Sequence, residues 1–224
     1  FVIHYSLHQQ TTDYHTLKPH LQTYQYLYES MPDRVVADAG YGSEENYEYL
    51  EDNNVEAYVK YNTFDKEHKN YKTKKKASGK DDFHRDSLHY NEKGDYYVCP
   101  MGQRMEKQND KKQRTKSGYL QYTSVYQAQN CNGCPLRSLC HKSANHRTIQ
   151  RNHKLERHKE IARQRLNTEL GEQKRIQRTA DVEPVFAHIK SNRNFERFTH
   201  KGIQKAELEF GLHALAHNLK KKVA

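Results

Sequence analysis

The sequence is poor in apolar residues. Only 34% of its 224 residues are hydrophobic, and the mean hydropathy is -1.20. A large all-hydrophobic core is therefore excluded, and the apolar residues must be concentrated in a few elements. No apolar run approaches the roughly 18 residues that span a bilayer, and the chain does not open with a basic stretch followed by a long apolar core. We expect a soluble, cytoplasmic protein without a membrane partner.

Acidic residues are outnumbered by basic ones. Lys and Arg total 38 against 28 Asp and Glu, which gives a net charge of +10. A surface of this sign attracts polyanions, and nucleic acid is the commonest such partner. Charge alone also fits a basic protein that binds no nucleic acid. The length allows one domain with a sizeable insertion, or two small domains.

The first sixty residues alternate between strand and helix patterns. Residues 1–7 are rich in β-branched and aromatic side chains, and residues 17–27 carry apolar side chains at helical spacing. Residues 35–37 form a short apolar run, Ser43 suits the N-cap of a second helix, and residues 55–61 again predict a strand. This order favours an α/β layer with parallel strands.

The middle of the chain has a different character. Six lysines, among them Lys74, Lys75 and Lys76, cluster around Ser78-Gly79 and predict a flexible segment that contacts DNA phosphates, although any one of them also fits a solvated surface charge. Residues 90–150 hold short strand candidates and all the cysteines. We therefore expect a core segment at 1–61, a cysteine-bearing insertion at 62–175, and C-terminal helices of the core at 176–224.

The four cysteines are Cys99, Cys131, Cys134 and Cys140, and the last three have C-x2-C-x5-C spacing. In a cytoplasmic protein such a set indicates a metal site rather than disulfides. A structural zinc ion bound by all four thiolates would hold together a small polar subdomain. An iron–sulfur cluster uses the same ligands, His141 is an alternative to one cysteine, and four unbound thiols are the remaining possibility.

Asp38 follows the apolar run 35–37. Open α/β sheets gather their ligands at the carboxyl ends of parallel strands, so this carboxylate is a candidate for metal binding or catalysis. An Asp before Ala-Gly is also an ordinary turn residue.

Glu183 lies in a segment that predicts a helix with Asp181 as its N-cap and Pro184 in its first turn. On that helix Glu183 and Lys190 would be about 20° apart around the axis. The alternative is a Glu placed by the helix dipole and a surface Lys. The expected buried stripe of this helix is Val182, Val185, Phe186 and Ile189.

Two motifs carry a family resemblance. Asp38-Ala-Gly-Tyr-Gly-Ser43 resembles the second-Asp motif of DDE transposases encoded by bacterial insertion sequences. Residues 182–190, followed by 192–198 and 212–219, resemble the third-carboxylate region of the same enzymes. The motifs occur in the family's order, with the cysteines between them.

The resemblance implies a ribonuclease H-like α/β fold in which three carboxylates bind two Mg²⁺ or Mn²⁺ ions for DNA cleavage and strand transfer. Asp38 and Glu183 would be two of the three, and Lys190 would hold a DNA phosphate. An Arg commonly lies four residues before the Glu in these enzymes, whereas this chain has Thr179 there, with Arg178 one residue off. The implied partners are transposon-end and target DNA and further copies of the chain.

The first catalytic Asp of the family has no counterpart before Asp38, and Asp13 is expected to cap a helix. We expect the first Asp to lie upstream of Phe1, and the chain as given to be inactive. Arg193 and Arg197 are further candidates for DNA contact. The alternatives are a non-enzymatic, zinc-containing DNA-binding module, such as the remnant of a decayed element, and a nuclease-like domain that only mediates protein contacts.

Overall fold

The computed structural model describes residues 1–67, 83–192 and 195–223. The chain divides into two compact units, one formed by Phe1–Phe64 with His158–Ala224 and the other by Asp65–Arg157. The first is a mixed helix and strand unit, and the second is dominated by an antiparallel sheet. The α/β class predicted from the sequence is confirmed.

The first unit contains a strand–helix–strand arrangement. Strands β1 (Arg34–Ala37) and β2 (Glu56–Val59) pair in parallel and are joined by helix α2 (Glu44–Asp52). Ser43 caps α2 as predicted, because its hydroxyl oxygen accepts the backbone N–H of Asn46 at 3.3 Å. Helix α1 (Leu17–Tyr28) precedes β1. The parallel pairing places the carboxyl ends of both strands at one edge, where Asp38 follows β1.

The second unit is a five-stranded antiparallel sheet in the order β3-β4-β5-β6-β7. Its core contains Tyr97, Met105, Tyr126 and Ile149, each at most 4% exposed. A short helical turn, Arg137–Cys140, lies between the last two strands. The strands are β3 (Tyr90–Asn91), β4 (Tyr96–Val98), β5 (Arg104–Arg114), β6 (Leu120–Ala128) and β7 (Thr148–Arg151).

Three longer helices complete the chain: α3 (His153–Leu166), α4 (Glu169–Ala187) and α5 (Ile203–Val223), with a π-helical turn at His188–Asn192 after α4. The hydroxyl oxygen of Thr168 caps α4 by accepting the N–H of Gly171 at 3.0 Å. Helix α4 packs against both β1 and β2. It is therefore the element that can bring side chains to the end of β1.

The strand predicted at residues 1–7 is not formed. Neither sheet of the described residues includes this segment. Its backbone is instead bound by the Asn218 side chain of α5, which accepts the Val2 N–H at 2.8 Å and donates to the Val2 carbonyl at 2.7 Å. Strand propensity alone does not make a strand, because a ladder requires a partner backbone at hydrogen-bond distance.

The predicted start of the Glu183 helix is also wrong. Asp181 is not an N-cap but an interior residue of α4, and Pro184 lies inside that helix. The Thr168 cap and the acidic Glu169 in the first turn favour an N-cap thirteen residues earlier than the predicted Asp181, and this outweighs the hydrogen bond that Pro184 cannot donate. The buried stripe predicted for this helix fails with it: Ile189 is 1% exposed, but Phe186 is 48% exposed.

Helix α5 carries its leucines on one face, as their spacing predicts, yet that face is exposed. Leu208, Leu212, Leu215 and Leu219 are each 56–67% exposed. Despite these leucines, none of the helices in the described ranges is long and apolar enough to cross a membrane.

Candidate functional site

Asp38 stands at the end of β1, at the start of a tight 3-10 turn formed by Ala39–Tyr41. The Tyr41 N–H donates to the Asp38 carbonyl at 3.0 Å, and the Gly42 N–H donates to the Ala39 carbonyl at 3.1 Å. These bonds fix the backbone of the turn, while the Asp38 side chain remains 53% exposed. The carboxylate is therefore held by a rigid backbone and is accessible to a cation.

Gly42 presses this turn against the chain that follows β2. A Cβ atom there would overlap the Lys60 carbonyl oxygen and lie 2.9 Å from the Tyr61 Cα atom. Gly40 is less constrained, because its Cβ would meet only Asp13 side-chain atoms, at 3.6 Å. Of the two glycines in the motif, Gly42 is the one required by a close backbone approach.

Arg178 is the residue of α4 that reaches Asp38. Its guanidinium Nη2 lies 3.3 Å from the Asp38 Oδ2 atom, and its side chain is 19% exposed. The sequence left a role for Arg178 open because it is one residue from the family's position. The structure places it in ionic contact with the proposed metal ligand.

Asp13 is a component of this site that the sequence did not identify. It does not cap α1, whose N-cap is Thr16. Its side chain lies beside Gly40 instead. Burial raises the pKa of Tyr41, the charges of Asp13 and Asp38 raise it further, and Arg178 opposes them. Asp13, Asp38 and Arg178 therefore all act electrostatically on the Tyr41 phenol.

Asn46 connects the two turns that carry these acids. Its side chain is 1% exposed, and its amide nitrogen donates to the Tyr14 carbonyl at 3.0 Å and to the Tyr41 carbonyl at 2.9 Å. Sequence spacing gives no indication of this contact, because it joins loops that are distant in the chain. The Asp13 turn and the Asp38 turn are thus fixed to each other.

Glu183 is exposed on α4, five residues after Arg178. At about 1.5 Å rise and 100° per residue, Glu183 is roughly 7.5 Å further along the helix axis than Arg178 and about 140° around it. The structure thus brings Arg178 into contact with Asp38, whereas Glu183 makes no contact with Asp38 in the described part of the chain. Lys190 is exposed within the π-helical turn, whose wider i→i+5 geometry changes the angle predicted between Glu183 and Lys190.

The remaining predicted DNA contacts divide into two groups. Arg197 is described and exposed. The others lie outside the described residues: Arg193, Lys74, Lys75 and Lys76.

The four cysteines line one small pocket of the second unit, together with His141, Arg137 and Arg147. Two glycine turns shape it: Gly102 follows Cys99 with φ of 80°, and Gly133 lies between Cys131 and Cys134 with φ of 68°. Both φ values lie in the left-handed region, which glycine adopts without strain. The four cysteines therefore line a common pocket, while their binding of one metal ion stays a prediction.

The side chains that line this pocket include a histidine without hydrogen-bond partners, but as placed in the described structure they do not form a complete metal site. Both ring nitrogens of His141 are buried without a hydrogen-bond partner in the described structure. Burial lowers the pKa of His141, and Arg137 and Arg147 lower it further, which favours the neutral form of the ring that binds metal ions. Within the described ranges, however, no three His, Cys, Asp or Glu side chains are grouped closely enough to hold a metal ion.

Comparison with protein families gives the class of this mixed α/β protein. Residues 98–223, more than half of the chain, match the family described as transposase DDE domain. The chain belongs to this family, and the resemblance seen in the sequence is confirmed. The matched region contains the cysteines, Glu183 and Lys190, whereas Asp38 precedes it. No curated protein and no solved structure matches the chain.

Family membership assigns the chain to DNA transposition and to an enzyme of transposase or nuclease type that binds DNA. Enzymes of this family typically use Mg²⁺ or Mn²⁺.

Proposed function

We propose that the chain supplies Asp38 and Glu183 to a transposase active site that cleaves the ends of a bacterial insertion sequence and joins them to target DNA. The observation that carries this proposal is the contact of α4 with the end of β1, made by Arg178 and Asp38 at 3.3 Å. The family match over Glu183 and Lys190 on the same stretch supports it. A ribonuclease H-like topology is part of the proposal.

The donor set fits divalent cations, because carboxylate oxygens are hard ligands and both side chains are accessible. When bound, Mg²⁺ or Mn²⁺ would supply activation of a water molecule and stabilisation of the leaving 3′ oxygen. Water attacks phosphorus in line and loses a proton, the P–O3′ bond breaks, and the 3′ oxygen becomes a hydroxyl. The freed 3′-OH then attacks a target phosphate in the same way.

Arg178 has a second task in this proposal. In the structure its guanidinium neutralises Asp38, but a guanidinium also matches phosphate geometry. With the Asp38 oxygens engaged by Mg²⁺ or Mn²⁺, the Arg178 guanidinium would be free to hold a DNA phosphate, the role proposed for Lys190 as well. Arg193, Arg197, Lys74, Lys75 and Lys76 would bind other DNA phosphates, and two or more copies of the chain would assemble on the DNA ends.

The test is Mg²⁺-dependent cleavage of element-end DNA by the protein expressed from its intact gene. Asp38→Asn and Glu183→Gln should each abolish cleavage while leaving the circular dichroism spectrum unchanged. Asp181→Asn is the matched control, because Asp181 is an exposed acid on the same helix, two residues before Glu183. Cleavage retained in both of the first two variants would reject the site. DNA binding without cleavage by the unaltered protein would favour a non-enzymatic module.

We further propose a structural zinc ion in the cysteine pocket, bound by Cys99, Cys131, Cys134 and Cys140, with His141 as the alternative to one of them. The support is the shared pocket and the two buried, unpartnered nitrogens of His141. Metal analysis of the purified protein should find about one zinc per chain. Iron with visible absorbance would indicate a cluster, and a metal-free protein with four titratable thiols would exclude both.

A further inference from the structure

The cysteine pocket contains a cationic side chain whose position the transposase chemistry does not explain. Arg147 is 7% exposed, and its guanidinium Nη1 donates to the Cys140 Sγ atom at 2.7 Å. Its other terminal nitrogen donates to the Phe83 carbonyl. No carboxylate of the described residues forms an ion pair with it. Burying a guanidinium without a nearby anion costs free energy, so we expect an anionic group next to Arg147.

The atoms beside Arg147 that can carry that charge are sulfurs. Besides the side-chain contact with Cys140, the backbone N–H of Arg147 points to the Cys131 Sγ atom at 3.4 Å. One residue thus donates to two of the four cysteines. The thiolate is the form of cysteine that binds metal ions, and N–H donors stabilise its charge.

From this geometry we infer that Arg147 is a positioning residue of the metal site, which compensates the charge of the thiolates and sets the affinity for the cation. This inference rests on the zinc proposal above. Four thiolates around a divalent cation carry a net charge of −2, and three thiolates with His141 carry −1. In either case a buried guanidinium beside the sulfurs brings the site closer to neutrality, which a poorly solvated pocket favours.

Arg137 provides a matched comparison within the same pocket. Its guanidinium donates to the carbonyl oxygens of Cys131 at 3.1 Å, Ser143 at 3.3 Å and Ala144 at 2.6 Å. It therefore holds the loop backbone and makes no described contact with a sulfur atom. Replacing Arg137 therefore tests the effect of losing the hydrogen bonds that hold the loop. Replacing Arg147 also tests the effect of removing a positive charge from beside the sulfurs.

The experiment is a Zn²⁺ titration against a chromophoric chelator, on the unaltered chain and on Arg147→Gln, Arg147→Lys and Arg137→Gln. Outer-shell substitutions typically weaken metal binding by about 10- to 100-fold, and we expect this for Arg147→Gln. Arg147→Lys should recover part of the affinity because it keeps the charge. Arg137→Gln should change the dissociation constant less than Arg147→Gln does.

A Co²⁺ titration supplies the second readout, because sulfur-to-cobalt absorption bands report the thiolate ligands even where a variant folds poorly without metal. Equal zinc affinity in Arg147→Gln and the unaltered chain would overturn the role of Arg147 and leave the zinc site standing. Equal losses in the Arg147→Gln and Arg137→Gln variants would also overturn it, since both would then reflect loop support. An unaltered chain that binds no stoichiometric Zn²⁺ or Co²⁺ would reject the zinc site itself.

Discussion

Replacing Gly42 by Ala tests whether the turn behind Asp38 is as close to β2 as the structure shows. The new Cβ atom would overlap the Lys60 carbonyl oxygen and approach the Tyr61 Cα atom to 2.9 Å. Both atoms are backbone, so no side chain can rotate to make room. The turn and the chain after β2 must separate.

The expected cost follows from overpacking. Inserting a methyl group into a close-packed region costs about 1–3 kcal/mol, and the upper end applies here because backbone must move. For a chain of this length each kcal/mol lowers the melting temperature by about 2–4 °C. We therefore expect the Gly42→Ala variant to melt several degrees below the unaltered protein, as measured by circular dichroism.

Gly40→Ala is the control within the same motif. Its Cβ would meet Asp13 atoms at 3.6 Å, an ordinary contact distance. This substitution should leave the melting temperature unchanged, or raise it slightly by restricting the unfolded chain. Equal melting temperatures for the Gly40→Ala and Gly42→Ala variants would refute the close approach.

Three further outcomes are expected. Arg178→Gln removes a cation that competes with metal ions for Asp38. Mn²⁺ binding without DNA should therefore tighten up to about fivefold, because an exposed ion pair contributes about 1 kcal/mol. Weaker Mn²⁺ binding in water-proton relaxation titrations would contradict this. Burial and neighbouring histidines lower the pKa of His20 from 6.5 to about 4. The unfolded state therefore binds more protons between these values, stability falls as pH drops from about 6.5 towards 4, and His20→Gln should flatten that fall in melting curves. Asn46→Ala leaves two carbonyls without their donor and should cost about 1–3 kcal/mol in urea unfolding; an unchanged midpoint would show that other donors replace it.

Local patterns predicted the elements around Asp38. The short apolar runs that became β1 and β2, and the cap at Ser43, depend on neighbours in sequence, so the chain itself contains the necessary information. The four cysteines line one pocket, but a shared metal ion, inferred from their C-x2-C-x5-C spacing and their number, stays a prediction. The start of α4 could not be predicted in this way. Asp181 and Pro184 give a strong local signal for a helix start, but the longer helix α4 overrides that signal.

Contacts between distant segments could not be predicted from the sequence. Nothing near Asp13 indicates that it faces the Asp38 turn, and the position of Arg147 beside two cysteine sulfurs depends on how β7 leads out of the cysteine loop. From the sequence, Arg178 was notable only because it lies one residue from the position of the Arg that the family commonly has before its Glu. Its ion pair with Asp38 arises because α4 lies across the strands, which periodicity does not encode.

The Asn46 carboxamide donates both of its hydrogens to carbonyls of separate loops. The loops bearing Asp13 and Asp38 are therefore linked to each other through one side chain. A displacement of either loop would therefore pull on the other through the two hydrogen bonds of Asn46. A ligand that fixed the Asp38 loop would thereby also restrain the turn Asp13–His15, which precedes α1.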